Sequence, residues 1–308
     1  MSAILDALLP VLLIIAAGHV VARLGIITGE QWRGVERIAY FLLFPAMIIS
    51  TVAQTDFKTL PTVHMSVVLV LSILVMAGVL LALRPVLHSV LGIEGARFTS
   101  VFQGAVRWNS FVALAIAGKL LGPDGISLIA VAFVVVNPLV NLACVFALSR
   151  FVGGQAPSAG KLLLDLIGNP FIWSTLVGLG LNVTGSTLPE VVSSTLEMLG
   201  AAALPVGIVC FGARLEPRTL RRPGPALMIA TTLRLLVMPA FGFSFAMITG
   251  LVHEALLAVM IALSVPAGGG AYLLARQRGG DAVLMAEILT LQTLAAAATM
   301  PVIFLLVA

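Results

Sequence analysis

The chain has 308 residues, of which 60% are hydrophobic and only 10% charged, and a formal net charge of +4. An average soluble domain carries about 25% charged residues, and a soluble chain this apolar would expose large adhesive patches. Composition therefore excludes an ordinary soluble domain and points to an integral membrane protein whose apolar side chains are solvated by lipid. The small positive charge marks cytoplasmic loops rather than a nucleic-acid surface.

A crossing needs about 20 mostly apolar residues, so this length holds roughly ten crossings and no soluble domain between them. Apolar runs predict crossings at 3–23, 36–55, 62–83, 98–118, 126–149, 162–182, 191–213, 226–249, 253–275 and 282–307. No basic segment precedes the first run, which reads as a crossing rather than a cleaved signal. The longest connections are Gly25–Val35, Arg84–Arg97, Arg150–Lys161 and Arg214–Gly224. Gly, Ala and Pro are concentrated in Phe151–Gly160, which reads as a linker. It divides the chain into a first five-helix half (1–150), the linker (151–161) and a second five-helix half (162–308).

The loop charges set an orientation. Odd-numbered loops carry Arg23, Arg33, Arg37, Arg84, Arg97, Arg150, Lys161, Arg214, Arg218, Arg221, Arg222, Arg276 and Arg278, and even-numbered loops carry only Lys58 and Lys119. Lys and Arg are retained on the cytoplasmic side. Odd loops are therefore expected inside and both termini outside.

The halves also resemble each other. At an offset of 160, Pro10 falls on Pro170, Gly18 on Gly178, Gly25 on Gly185 and Pro45 on Pro205. At an offset of 157, Asp124 falls on Asp281. The loop charges do not repeat, as expected when a unit with an odd number of helices is followed by its own inverted copy. Two inverted repeats are a transporter plan that places the substrate at their interface near mid-membrane. The expected fold class is an all-α membrane protein of ten helices in two inverted five-helix repeats.

Two crossings look broken. The fourth carries Arg107, Asn109 and Ser110 at its middle. The ninth carries Pro266, Ala267 and the run Gly268, Gly269, Gly270. Proline removes a donor and clashes with the preceding turn, and each glycine costs about 1 kcal/mol in a helix relative to alanine. At the offset of 157, Asn109 falls on Pro266. Freed backbone groups must face protein or a water-filled cavity, and half-helix N-termini suit an anion such as a carboxylate. A kinked but packed helix is the plainer alternative.

Arg107 is an intramembrane charge costing about 2.5–3.5 kcal/mol on insertion scales. It suits a substrate or counter-ion role, and equally a snorkelling or structural one. Arg234 has no neighbouring polar cluster and reads as structural rather than functional, and Glu287 as a carboxylate near a helix end rather than a proton or cation ligand. Asn137 and Asn141 share a helix face, fit for lining a pathway or for joining helices. Gln54 and Gln103 are weaker candidates of that kind. Cys144 and Cys210 read as buried small hydrophobes. His253-Glu254 lacks the second His of HExxH, and no Walker A, GxSxG or GxGxxG motif occurs. No cofactor or metal is expected, and the function expected is secondary transport rather than catalysis.

The phrases LLFPAMIIS (42–50), RWNSFVAL (107–114), GNPFIWSTLVGLGLN (168–182), ALPVGIVCFGARL (203–215) and VPAGGGAYLLARQRGGDA (265–282) resemble, in order, those of the auxin efflux carrier family and its bacterial members. The resemblance implies a fold related to that of bile acid:sodium symporters, with scaffold helices 1, 2, 6 and 7 and a transport core of helices 3–5 and 8–10. It also implies crossing helices 4 and 9 as the site, with Asn109 and Pro266 at the crossover. It further implies a homodimer in a bacterial inner membrane that moves a small organic anion by alternating access of the elevator type. A sodium-coupled symporter and a non-transporting receptor are the alternatives. Family members usually have proline where this chain has Ala115, and often a polar residue within Ala267–Gly270, so the substrate can differ from malonate or auxin.

Overall fold

A computed structural model describes residues 2–57, 60–153, 160, 164, 167–215, 223–251 and 253–307, and regular structure among them is helical throughout. Water-free lipid leaves a single chain few other ways to satisfy its backbone groups. The helices are α1 (Ser2–Arg23), α2 (Gly29–Ile38), α3 (Phe44–Gln54), α4 (Thr62–Leu91), α5 (Gly95–Val106), α6 (Ser110–Phe151) and α7 (Pro170–Thr184). They continue as α8 (Glu190–Ala201), α9 (Ala203–Ala213), α10 (Pro225–Thr232), α11 (Met238–Thr249), α12 (His253–Ser264), α13 (Gly270–Gln277) and α14 (Ala282–Val307).

Among the described residues, six stretches are long and apolar enough to cross a membrane: Gly29–Gln54, Thr62–Leu91, Gly95–Phe151, Glu190–Ala213, Pro225–Thr249 and Ala282–Val307. Leu8–Arg23, Pro170–Thr184 and His253–Ser264 are shorter apolar helices. Gly95–Phe151 spans 57 residues, about 85 Å of continuous helix and far more than one bilayer. It is interrupted at 107–109 and again at Gly122. Gly122 has φ 63° and ψ −147°, a conformation open to glycine alone. Beyond it the chain folds back, and the Ile126 side chain lies 3.2 Å from a Cβ placed on Gly118.

Both helices α2–α3 and α10–α11 are joined by one π turn, at Ala39–Leu43 and Leu233–Val237. Phe44 N–H donates to the Ala39 carbonyl and Met238 N–H to the Leu233 carbonyl, each five residues back. A proline follows each turn, Pro45 and Pro239. Its missing N–H and its ring disturb the regular ladder, and one wider turn absorbs the change.

Close contacts group the chain into two units. The first holds Met1–Thr62, Ser110–Val134 and Ser158–Arg214. In it α1 lies against α9. A Cβ on Gly18 would run into the Val209 carbonyl, and one on Gly212 into the Ile15 carbonyl. Small residues permit this backbone approach where lipid offers no hydrophobic driving force. An aromatic cluster forms the centre, with Phe44 stacked on Phe111 at 4.5 Å and Phe133 on Phe171 at 4.3 Å. Asn182 donates to the carbonyls of Ala53 (3.0 Å) and Thr55 (2.7 Å) at the end of α3. Arg214 pairs with Glu36.

The second unit holds Val63–Asn109, Val135–Pro157 and Leu215–Ala308. Here α5 packs on α10 and α14, and α12 on α11 and α14. Asp281 organises one end. Its Oδ1 accepts from Leu284 N–H at 2.9 Å to cap α14, its carbonyl accepts from Ser100 Oγ at 2.9 Å, and its carboxylate faces Arg97 at 3.9 Å.

Helices occupy the stretches expected to cross, with a difference in the sixth. A continuous helix over 162–182 is expected, but the chain turns at Gly168 and a new helix begins at Pro170. Asn169 Oδ1 caps it by accepting from Phe171 N–H at 3.0 Å, and Pro170 sits where its missing N–H has no partner to lose. Most of the expected linker (154–159), Lys58, Lys161, Arg218, Arg221 and Arg222 lie outside the described residues.

Candidate functional site

Both expected helix breaks are present, and they meet. Helix α5 ends at Val106 and α6 begins at Ser110, leaving Arg107, Trp108 and Asn109 non-helical. Helix α12 ends at Ser264 and α13 begins at Gly270, leaving residues 265–269 non-helical. Arg107 is extended, at φ −76° and ψ 153°. Asn109 N–H donates to the Pro266 carbonyl at 2.8 Å, joining one break to the other. A Cβ on Gly268 would lie 2.7 Å from the Trp108 carbonyl oxygen and 3.5 Å from Asn109 Cα. Glycine is therefore required at 268 by the close passage of the other chain segment.

Amide side chains on neighbouring helices hold the breaks open. Arg107 Nη2 donates to Asn141 Oδ1 at 2.8 Å, and Trp108 Nε1 donates to Asn137 Oδ1 at 3.1 Å. The shared face of Asn137 and Asn141 thus braces the first break. On the second, Gln292 from α14 does the equivalent work. Its Oε1 accepts from Ala267 N–H at 2.9 Å, and its Nε2 donates to the carbonyls of Gly104 (2.9 Å) and Ala230 (3.1 Å). Gln292 is wholly buried, so one amide side chain satisfies three buried backbone groups in α5, α10 and the second break.

Charge at the site is positive. Arg107 Nη1 lies 3.8 Å from the position of a Cβ on Gly270, so the guanidinium stands beside the first residue of α13. The α13 N-terminus adds its own partial positive charge. The buried Arg107 Nε has no hydrogen-bond partner among the described residues. Arg234, on the π turn, is 1% exposed. It donates from Nε to the Val265 carbonyl at 2.7 Å and from Nη2 to the Ala262 carbonyl at 2.8 Å. Ion pairs among the described residues include Arg97–Asp281 and Arg214–Glu36, and neither Arg107 nor Arg234 takes part in them. Two guanidinium groups thus sit at the breaks without an ion pair to a described carboxylate. A buried cation left so is costly until an anion joins it.

Of the residues singled out from sequence, Arg107, Asn109, Asn137, Asn141, Pro266, Ala267, Gly268, Gly269 and Gly270 all fall in the second unit, at or beside the breaks. Ser110 opens α6 and falls in the first unit. Gln54 is an exposed residue at the end of α3, away from the breaks in sequence and unit. Gln103 is wholly buried, and neither of its amide atoms has a partner among the described residues. The same holds for the Ser264 hydroxyl at the end of α12. Gln292 was not singled out from sequence. Its signal is a lone amide in the apolar run ILTLQTLAAA (288–297), since polar residues inside a crossing tend to mark function.

Residues 156–304 match the profile of a family described as "Membrane transport protein". A protein of Methanothermobacter thermautotrophicus (strain Delta H), described as an uncharacterized transporter, is 21% identical over 298 residues, an alignment covering 96% of each chain.

Proposed function

We propose that this chain, whose residues 156–304 match a membrane transport protein family and whose motifs resemble the auxin efflux carrier family, is a secondary transporter that carries a small organic anion by alternating access. The observation that carries this reading is the meeting of two helix breaks around an Arg107 that forms no ion pair with a described carboxylate. An anion docked there would receive a guanidinium and the N-terminal end of α13 together. Carboxylate chemistry suits both. Fully buried Gln103 and Ser264 supply polar groups still without partners among the described residues.

The test is a melting screen of purified protein against small mono- and dicarboxylic acids, matched amines and neutral sugars. At least one acid should raise the melting temperature in a saturable way, by mass action on the folded state. Stabilisation by amines alone would overturn the anion assignment.

The architecture we propose is ten crossings in two inverted repeats. Packing supports it: Gly18 of α1 meets Val209 in α9, and Gly178 of α7 meets Val52 in α3. Gly18 and Gly178 are 160 residues apart, the offset of the sequence repeat. An elevator motion of helices 3–5 and 8–10 against helices 1, 2, 6 and 7 follows from the resemblance. Both breaks belong to one unit, as such a motion needs, although the unit boundaries also cut α6 at Val134. A homodimer in a bacterial inner membrane follows from the resemblance alone.

The positive loops support an orientation with both termini outside. A cysteine placed at Arg221 should react with impermeant reagents only from the cytoplasmic face, and labelling from outside would reverse the topology.

A further inference from the structure

We propose that the Arg234 guanidinium is a tethered cation that fills the open C-terminal end of α12, the place a mobile coupling ion would take, so that this carrier works without sodium. The inference rests on the transporter reading above.

A helix broken inside a membrane exposes two unlike ends. The N-terminal end of the second segment is positive, and the C-terminal end of the first is negative, with carbonyls that no longer have helical donors. In transporters built on broken helices, such carbonyls are typically satisfied by a coupling ion. The first segment here is α12, which ends at Ser264. Proline at 266 has no N–H to offer the carbonyls of the last turn. Arg234 fills that role instead. Nε reaches the Val265 carbonyl at 2.7 Å and Nη2 the Ala262 carbonyl at 2.8 Å.

Three features mark Arg234 as more than a surface arginine that found a partner. It is 1% exposed, so its charge is removed from water. It forms no ion pair with a described carboxylate, so the carbonyls and the helix end supply the visible compensation. It also sits on a π turn, where one extra residue resets which side chain faces inward. A guanidinium is suited to the place because it stays charged and loses hydration more readily than an ammonium. A covalently held cation cannot be released on the far side of the membrane, so it can position the break but cannot couple transport to an ion gradient.

The test is a melting comparison in detergent, in low-ionic-strength buffers containing sodium, potassium, choline or low-millimolar guanidinium chloride. Wild-type protein should melt at the same temperature in all four. Arg234→Ala should lose stability and regain much of it, saturably, with guanidinium but not choline. Arg234→Lys should lie between Arg234→Ala and wild type. A saturable rise of the wild-type melting temperature with sodium over choline would overturn the proposal, because a mobile ion would then have its own place. So would an Arg234→Met variant as stable as wild type, because the charge would then be dispensable. If Arg234→Ala does not fold, the wild-type salt comparison and the Lys and Met variants still decide. No substrate enters this measurement, so its failure is separate from any failure of anion transport.

Discussion

Gly268→Ala is expected to abolish transport while the protein still inserts and folds. The added Cβ would stand 2.7 Å from the Trp108 carbonyl oxygen, which is backbone and cannot swing aside. The segments must part, and the Asn109 N–H to Pro266 carbonyl bond at 2.8 Å is the contact that parting stretches. Overpacking of this kind costs about 1–3 kcal/mol, and leaving a buried donor and acceptor without partners costs about as much again. The larger consequence is geometric, because the anion groups on the two breaks would no longer converge. Uptake into proteoliposomes and binding in the melting screen should both fall to background. Unaltered uptake would mean that the breaks can separate without loss, and that the site lies elsewhere.

Arg107→Ala is expected to weaken anion binding roughly 10- to 150-fold, the equivalent of the about 1.5–3 kcal/mol carried by one hydrogen bond to a charged group. Ligand-free stability should hardly change. The substitution removes the bond to Asn141, but also a half-buried charge with no ion pair to a described carboxylate. The two effects oppose each other. Arg107→Lys should recover part of the affinity, since it restores charge without the planar fork. A parallel loss of melting temperature and binding would make Arg107 a structural residue instead.

The ninth crossing was legible because Pro266 and three glycines act on their own backbone, and a chain's local propensities need no partner to be read. The fourth was legible through polarity, since Arg107 and Asn109 are costly in lipid unless something engages them. What engages them was only half visible. Asn137 and Asn141 could be placed on one face, but their bonds to Trp108 and Arg107 depend on how α6 folds back after Gly122. Gln292 carried less signal still, because its partners at Gly104, Ala230 and Ala267 are spread across three elements. Arg234 read as structural, and it is engaged by the α12 end; its two carbonyl partners lie about 30 residues away and are specified by packing rather than by a motif. Gly18 and Gly212 show the same limit. Each is spaced like any membrane glycine, and only the opposing carbonyl shows why it is small.

Counterflow in proteoliposomes tests the central claim most directly, using the carboxylic acids that raise the melting temperature. Vesicles preloaded with unlabelled acid should take up the labelled acid faster than empty vesicles. The uptake should saturate, should occur in choline buffer without sodium, and should be lost in Gly268→Ala. Exchange of this kind requires one site that faces each side in turn. Uptake of every tested acid no faster than in protein-free vesicles, or saturable exchange of a cation instead, would contradict the account.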